Sequence, residues 1–580
     1  VDILSNDEKH YLLGKGQGKG IWIGEGTIIE RGTKIFPPIY IGKNSLIKEN
    51  TVIEAYSVIG SNCFIGEGSS IKRSIIWDNV NISKNCEIRK SVICNNVRIN
   101  ERSRVFEGVV IGSFTNISQD TTIKPNIKIW PHKTIDENVV LKDNLIWGRG
   151  KSKKLFGYRN ISGRFNEKIT PEIATRLGTA FPSVVKSLGT YIVSSDDNNL
   201  SKTIKNSIIS GIISTGSLAI DIKDSTIPMC RFGVRYFKAD GGIHIRTGNS
   251  GEDIVYIEFI NRDGANIDKN LERKIENCLT IEDFKRTTGN KVKDVVNIYN
   301  FYSLYLKEGI GKLRNVNKIR EEKPKIIISS PSKNISNLAE EFLTDIECQV
   351  SVLKYNNRIT IETIKNLVLE KDGELGILFD EDGEKIYLTD GFNIIGDEKY
   401  HLLSLLIGFK TGEIKEAVVP YNFPRVIQKL AYEYKGDTIF SKSNISNIIQ
   451  TILNQNIDFQ YILSFDGIWA IGKIIDYLIG EGIVLNKLLQ ELPEYFYYKK
   501  EIPCKWNDKG NIIRRLTEER REGIELKEGV RFIDDKGWVL IIPDEEKPRF
   551  NLYIEGEDEE YAEELWIKYD EKIKQLMKGK

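Results

Sequence analysis

"IGEGTIIERGTKIFPPIYIGKNSLIKENTVI", residues 23–53, carries isoleucine at positions 23, 29, 35, 41, 47 and 53, one every six residues. The period runs on through Ile59, Ile65 and Ile71. It slips by one residue to Ile76, Ile82 and Ile88, and slips again to Ile93, Ile99, Val105, Ile111, Ile117, Ile123, Ile129 and Ile135. An amphipathic helix needs apolar residues three and four apart, and an ordinary sandwich strand cannot run this long without turns. Short strands joined by tight corners do fit, with one aliphatic side chain expected to point inward at each corner of a triangular coil. This is the hexapeptide signature of a parallel β-helix. About eighteen residues per coil predicts six or seven coils over 21–140, with stacked isoleucines as a one-dimensional core. "IFPPIY" (35–40) is expected to mark a bulge or a protruding loop.

A chain of 580 residues exceeds one core, and 83 basic against 82 acidic residues leave a formal charge of +1. That balance argues against nucleic acid or an anionic membrane as partner. No apolar run reaches the roughly 20 residues that span a bilayer. Seven cysteines without a CxxC pair read as free thiols in a reducing cytoplasm. The sequence opens on Val1 and not on Met, which is expected if an upstream domain precedes it.

Beyond the basic joint "GRGKSKKLFGYRN", helical patterns such as "TPEIATRLGTAFPSVVKSL" alternate with strand-like runs such as "GTYIVSS", "PKIIISS" and "GELGILF", which predicts α/β layers in series. "LFGYRNISGRFNEKITPEIATRLGTAF" resembles the opening of the phosphohexomutases, the phosphoglucomutase and phosphomannomutase enzymes. "STIPMCRFGVRYFKADGGIHI" resembles the run into their phosphoserine loop, and "LGILFDEDGEKIYLTDGFNII" their metal loop. "DGIWAIGKIIDYLIGEGIVLNKLLQELPEYF" resembles their late third domain, and "WVLIIPDEEKPRFNLYIEGED" their phosphate-binding fourth.

The order of elements is similar to the C-terminal part of fused sugar-nucleotidyltransferase and phosphomutase-like proteins. The resemblance implies a linker (1–20), a hexapeptide β-helix (21–145) and four phosphohexomutase-like domains (155–285, 286–395, 396–498 and 499–580). It implies a fold of parallel β-helix followed by a multi-domain α/β body with a small C-terminal α+β domain. It also implies a sugar phosphate or nucleotide sugar as ligand, Mg²⁺ as cofactor, and a homo-oligomer formed through the β-helix.

Residue by residue, the family's loops are altered. Where the phosphoserine belongs stands Gly248, with Thr247 one residue before and Ser250 two after, whose hydroxyls could substitute only in a rebuilt loop. Consecutive Cα atoms lie about 3.8 Å apart, and a misplacement of about 1 Å already costs on the order of a hundredfold in rate. The metal loop becomes Asp380, Glu381, Asp382, Gly383, Glu384 and Lys385. Carboxylates at Asp380, Asp382 and Glu384 suit a hard cation. Lys385 keeps a charge but lacks arginine's fork. The sugar-recognition motif is missing upstream of "DGIWA". The phosphate loop becomes Ile542–Pro548, with three acids where the family has an arginine and hydroxyls. Arg164, Arg246 and Lys385 remain as substrate-binding candidates.

These substitutions point to a catalytically impaired body acting in assembly or in sensing. The alternatives are an active mutase with a rebuilt site, or a hexapeptide acyltransferase using His132, the sole histidine of the repeat.

Overall fold

The computed structural model describes residues 15–16, 20–145, 155–248, 253–353, 359–518 and 523–577. They fall into two compact units, a rod up to Leu155 that also takes in Asn166–Lys168, and a body formed by Phe156–Phe165 and Ile169–Lys580.

The rod is the expected β-helix. Its three parallel sheets stack seven coils, and Lys15–Gly16 adds an antiparallel strand to the first. Ile41 pairs with Ile23 on one side and Ile59 on the other, so the core column is the backbone register itself. From Ile41 to Ile135 the repeating aliphatics are fully buried. Many corners need left-handed backbone, and asparagine supplies it at Asn44, Asn62, Asn79 and Asn96. Asparagine tolerates that region better than other non-glycine residues.

The two slips in the isoleucine period are shortened corners at Lys72–Ser74 and Arg89–Ser91, where Ile71 pairs with Ile88 and Ile59 with Ile76. "IFPPIY" departs from expectation. It forms a corner followed by the strand Ile39–Ile41, and the Ile23-to-Ile41 repeat is kept, so nothing is inserted.

The body begins with a six-stranded sheet in the order Ile161–Arg164, Ile254–Asn261, Gly241–Thr247, Thr190–Ser195, Leu218–Asp224 and Val296–Asn297. Its first helix, Pro171–Val185, starts where Thr170 accepts the N–H of Ile173 and a proline takes the first turn. Proline is favoured there because its missing N–H would be unpaired anyway. That helix meets Asn199–Ser214 through facing glycines: a Cβ on Gly211 would lie 2.2 Å from the Thr175 carbonyl oxygen.

A mixed five-stranded sheet follows, containing Lys325–Ser329, Leu375–Phe379 and Ile386–Thr389. Next come a parallel pair, Glu416–Pro420 with Asp437–Ser441, and the buried helix Gly467–Glu481. One continuous core joins these layers, with Ile192, Phe301, Phe342, Leu403 and Trp469 inside it. The C-terminal antiparallel sheet, Phe496–Gly556, is packed by the helix Glu559–Met577 around its own core of Phe550, Leu552 and Leu565.

Candidate functional site

The strand Gly241–Thr247 ends beside the strand Thr190–Ser195, its parallel neighbour, and returns along Ile254–Asn261. Thr247 stands at this end. Its N–H and its hydroxyl both donate to Asp196 Oδ2, at 2.7 and 3.0 Å. Gly248 follows; a Cβ there would come 3.0 Å from the ring of Tyr256. Ser250 lies outside the described residues. On the same strand, two residues before Arg246, His244 is buried with its Nδ1 2.9 Å from Ser194 Oγ. Burial, helped by Arg246, pushes its pKa down to about 3, so the ring is neutral at physiological pH.

Arg246 does not face an open anion site. Its guanidinium lies 4.2 Å from the centre of the Tyr256 ring and forms a 2.5 Å ion pair with Asp382. The acidic loop thus meets the strand end, and two further arginines join it. Arg159 pairs with Glu258 at 2.7 Å, with Glu384 at 2.7 Å and with Asp382 at 3.6 Å. Arg231 is fully buried and pairs with Glu384 at 3.0 Å, while its other nitrogens donate to the Gly264 carbonyl and to Asn266 Oδ1. Burial would lower Arg159, but Glu258, Glu384 and Asp382 hold it firmly charged. Burial likewise raises Asp382, and Arg159 and Arg246 outweigh it, leaving that carboxyl below the usual range.

Asp380 differs. Burial and the charges of Asp382 and Glu384 push it up to about 7, and its Oδ1 accepts the N–H of Glu384.

The expected Mg²⁺ ligands are therefore committed elsewhere. Asp382 and Glu384 face guanidinium groups, and Asp380 faces the loop's own backbone. Among the described residues, no group of three or more His, Cys, Asp or Glu side chains is arranged to hold a metal ion. The set as folded does not fit a divalent cation. Lys385 is exposed beyond the loop, and Arg164 is exposed opposite Ile254 at the edge of the six-stranded sheet. Of the expected residues that are described, Arg246, Asp380, Asp382 and Glu384 converge, and Thr247 follows Arg246 on its strand.

Arg159, Arg231, Glu258 and Asp196 were not singled out from the sequence. Arg231 was the most legible of them, a lone charge within the apolar "IPMCRFGV" (227–234), where a buried charge needs a partner.

The fourth loop is closed upon itself. Asp544 Oδ1 accepts the backbone N–H groups of Glu546 and Lys547, at 2.8 and 2.9 Å, and its Oδ2 accepts Arg549 Nε at 2.9 Å. Although burial works against it, these donors hold the carboxyl down to about 2. Lys509 is drawn to the carbonyls of Asp544 and Lys547. Glu546 accepts the Tyr158 N–H, and Glu545 pairs with Lys269.

In the rod, His132 is exposed, with its ring stacked on Phe114 at 4.9 Å.

Comparison with known proteins agrees with both units. Residues 18–123 match the EIF2B subunit epsilon LbH domain, and residues 153–286 match the phosphoglucomutase/phosphomannomutase alpha/beta/alpha domain I. A phosphoglucomutase/phosphomannomutase of Thermococcus kodakarensis is 23% identical over 465 residues, covering 73% of this chain and 100% of its own. A Pyrococcus furiosus protein described as "Probable phosphoglucosamine mutase" is 25% identical over 452 residues, covering 72% and 96%. Among solved structures, a phosphoglucomutase/phosphomannomutase family protein of Burkholderia thailandensis superposes with a TM-score of 0.63 at 15% identity, covering 73% of this chain and 98% of its own. Parafusin, a phosphoglucomutase of Paramecium, gives 0.55 at 13%, covering 73% and 95%. This chain joins an EIF2B-epsilon-like left-handed β-helix to a phosphoglucomutase/phosphomannomutase-like body, and its relatives are phosphohexomutases.

Proposed function

We propose that this phosphohexomutase-like body is catalytically impaired and serves a sugar-nucleotide protein in assembly, or in sensing a sugar phosphate or nucleotide sugar. The observation that carries the reading is the fourth loop. Backbone N–H groups that could cradle a phosphate already donate to the Asp544 carboxylate, with Glu545 and Glu546 beside it. A phosphate dianion would meet three acids there and would have to displace a resident carboxylate. At an effective dielectric of 20, each unit-charge repulsion at 4 Å costs about 4 kcal/mol. Gly248 supports the same reading, because it presents no side chain where the family's nucleophile stands.

Between the two roles, the rod favours assembly. Trp22, Tyr40, Val58, Ile75, Val92 and Val110 stand in register on the outer face of one sheet, an apolar ladder that a second copy of the chain could cover. Monomerisation by Ile75→Lys, read by light scattering, would support it; a monomeric unsubstituted chain would remove it. Seven cysteines without a disulfide, six of them buried, support a cytoplasmic setting.

A coupled mutase assay tests the main reading, using Mg²⁺, mannose 1-phosphate and glucose 1-phosphate primed with the matching bisphosphates. The folded chain should show no turnover above background. The second reading, an active mutase with a rebuilt site, has the Thr247 hydroxyl on Asp196 in its favour. Turnover abolished by Thr247→Ala would establish it and overturn the first.

A further inference from the structure

The three arginines of the acidic loop come from separate places: just before the strand Ile161–Arg164, within the helix Ile227–Tyr236, and on the strand Gly241–Thr247. Each is anchored by a group outside the loop. Glu258 holds Arg159 at 2.7 Å, the Gly264 carbonyl and Asn266 hold Arg231 at 2.8 and 2.6 Å, and the Tyr256 ring holds Arg246. Each guanidinium group is thus held from outside the loop as well as by the loop's carboxylates. Gly383, at the loop's turn, is fixed from the other side, where its carbonyl accepts the Gly467 N–H at 2.9 Å.

We propose that Arg159, Arg231 and Arg246 are resident cations that replace a divalent metal at this loop and clasp the five-stranded sheet to the six-stranded one. The charges support it: three guanidinium groups face Glu258, Asp382 and Glu384, while Glu381 is exposed beside Arg246 and Asp380 turns to the loop's own backbone. A metal ion would have to expel Arg246 from Asp382 and both other arginines from Glu384. It would then sit among three like charges in a largely dehydrated site, where repulsion is least screened. Arginine suits the task because its planar fork bridges two carboxylates at once and stays ionised when buried.

The test uses the full chain and Mn²⁺ alone, with free ion followed by electron paramagnetic resonance. The unsubstituted chain should leave the Mn²⁺ signal as in buffer, and its unfolding midpoint should be the same in millimolar Mg²⁺ and in EDTA. Arg246→Met, which leaves Asp382 with only the longer 3.6 Å pair to Arg159, should bind Mn²⁺ at least tenfold more tightly than the unsubstituted chain. Stoichiometric uptake by the unsubstituted chain, lost on Asp382→Asn, would overturn the proposal. So would a folded Arg246→Met chain with no gain in binding. Ion binding is read here and not turnover, so the result stands apart from the mutase assay.

Discussion

Replacing Arg231 by methionine keeps an unbranched chain of similar length and removes the fork at the centre of the arginine cluster. Three bonds go: to Glu384 at 3.0 Å, to the Gly264 carbonyl at 2.8 Å and to Asn266 at 2.6 Å. Glu384, itself buried, is left with Arg159 alone. Removing one partner of a buried ion pair costs about 3–5 kcal/mol, because the other charge stays buried and under-paired. A midpoint averages over the whole body and would blur a local effect. Native-state hydrogen exchange on the strands Gly241–Thr247 and Leu375–Phe379 resolves it. With tenfold per 1.4 kcal/mol, protection there should fall by about a hundred- to a few-thousand-fold. Glu384→Gln alone should also destabilise, and the double variant should be less unstable than the sum, with a coupling of about 0.5–3 kcal/mol. Protection within threefold of the unsubstituted chain, or strict additivity, would refute the cluster as a clasp.

Ile82 is fully buried in the rod, so Ile82→Ala should cost about 2–5 kcal/mol. In a one-dimensional stack the loss should appear as faster exchange in adjacent coils, with the body's unfolding midpoint unchanged. Gly211→Ala should overpack the helix pair by about 1–3 kcal/mol, lowering the midpoint of the body, because the new methyl meets the Thr175 carbonyl. Asp466, which caps the helix Gly467–Glu481 and accepts the Tyr305 hydroxyl at 2.6 Å, is pushed up to about 7 by burial. The folded chain thus keeps a proton that an unfolded aspartate, with a pKa of about 3.9, releases. Stability from this group is greatest below about pH 4 and falls as pH rises to about 7. Asp466→Asn keeps the cap and should lack that slope when midpoints are compared across this range.

The isoleucine period made the rod legible because a β-helix buries one side chain per six-residue step, and register leaves no other solution. The helix at Pro171–Val185 was legible through Thr170 and Pro171, a start signal that acts locally. At "IFPPIY" the two prolines suggest an interruption, whereas a corner asks only for a turn of the right length. The acidic loop could be found but not understood. Its partners Arg159 and Arg231 lie far away in sequence, with Arg231 153 residues from Glu384. Nothing in the local spacing of carboxylates says whether a metal or a guanidinium answers them. In the fourth loop the sequence showed acids and implied repulsion. The fold adds that one of them, Asp544, consumes the backbone donors, which no composition could reveal.

In an impaired body as proposed, no side chain acts as the phosphoryl-accepting nucleophile. The most direct measurement is the intact mass of the full chain after incubation with Mg²⁺ and glucose 1,6-bisphosphate or mannose 1,6-bisphosphate, followed by peptide mapping across residues 241–256. The expected result is an unmodified chain. A phosphate in stoichiometric amount on Thr247 or Ser250 would contradict it.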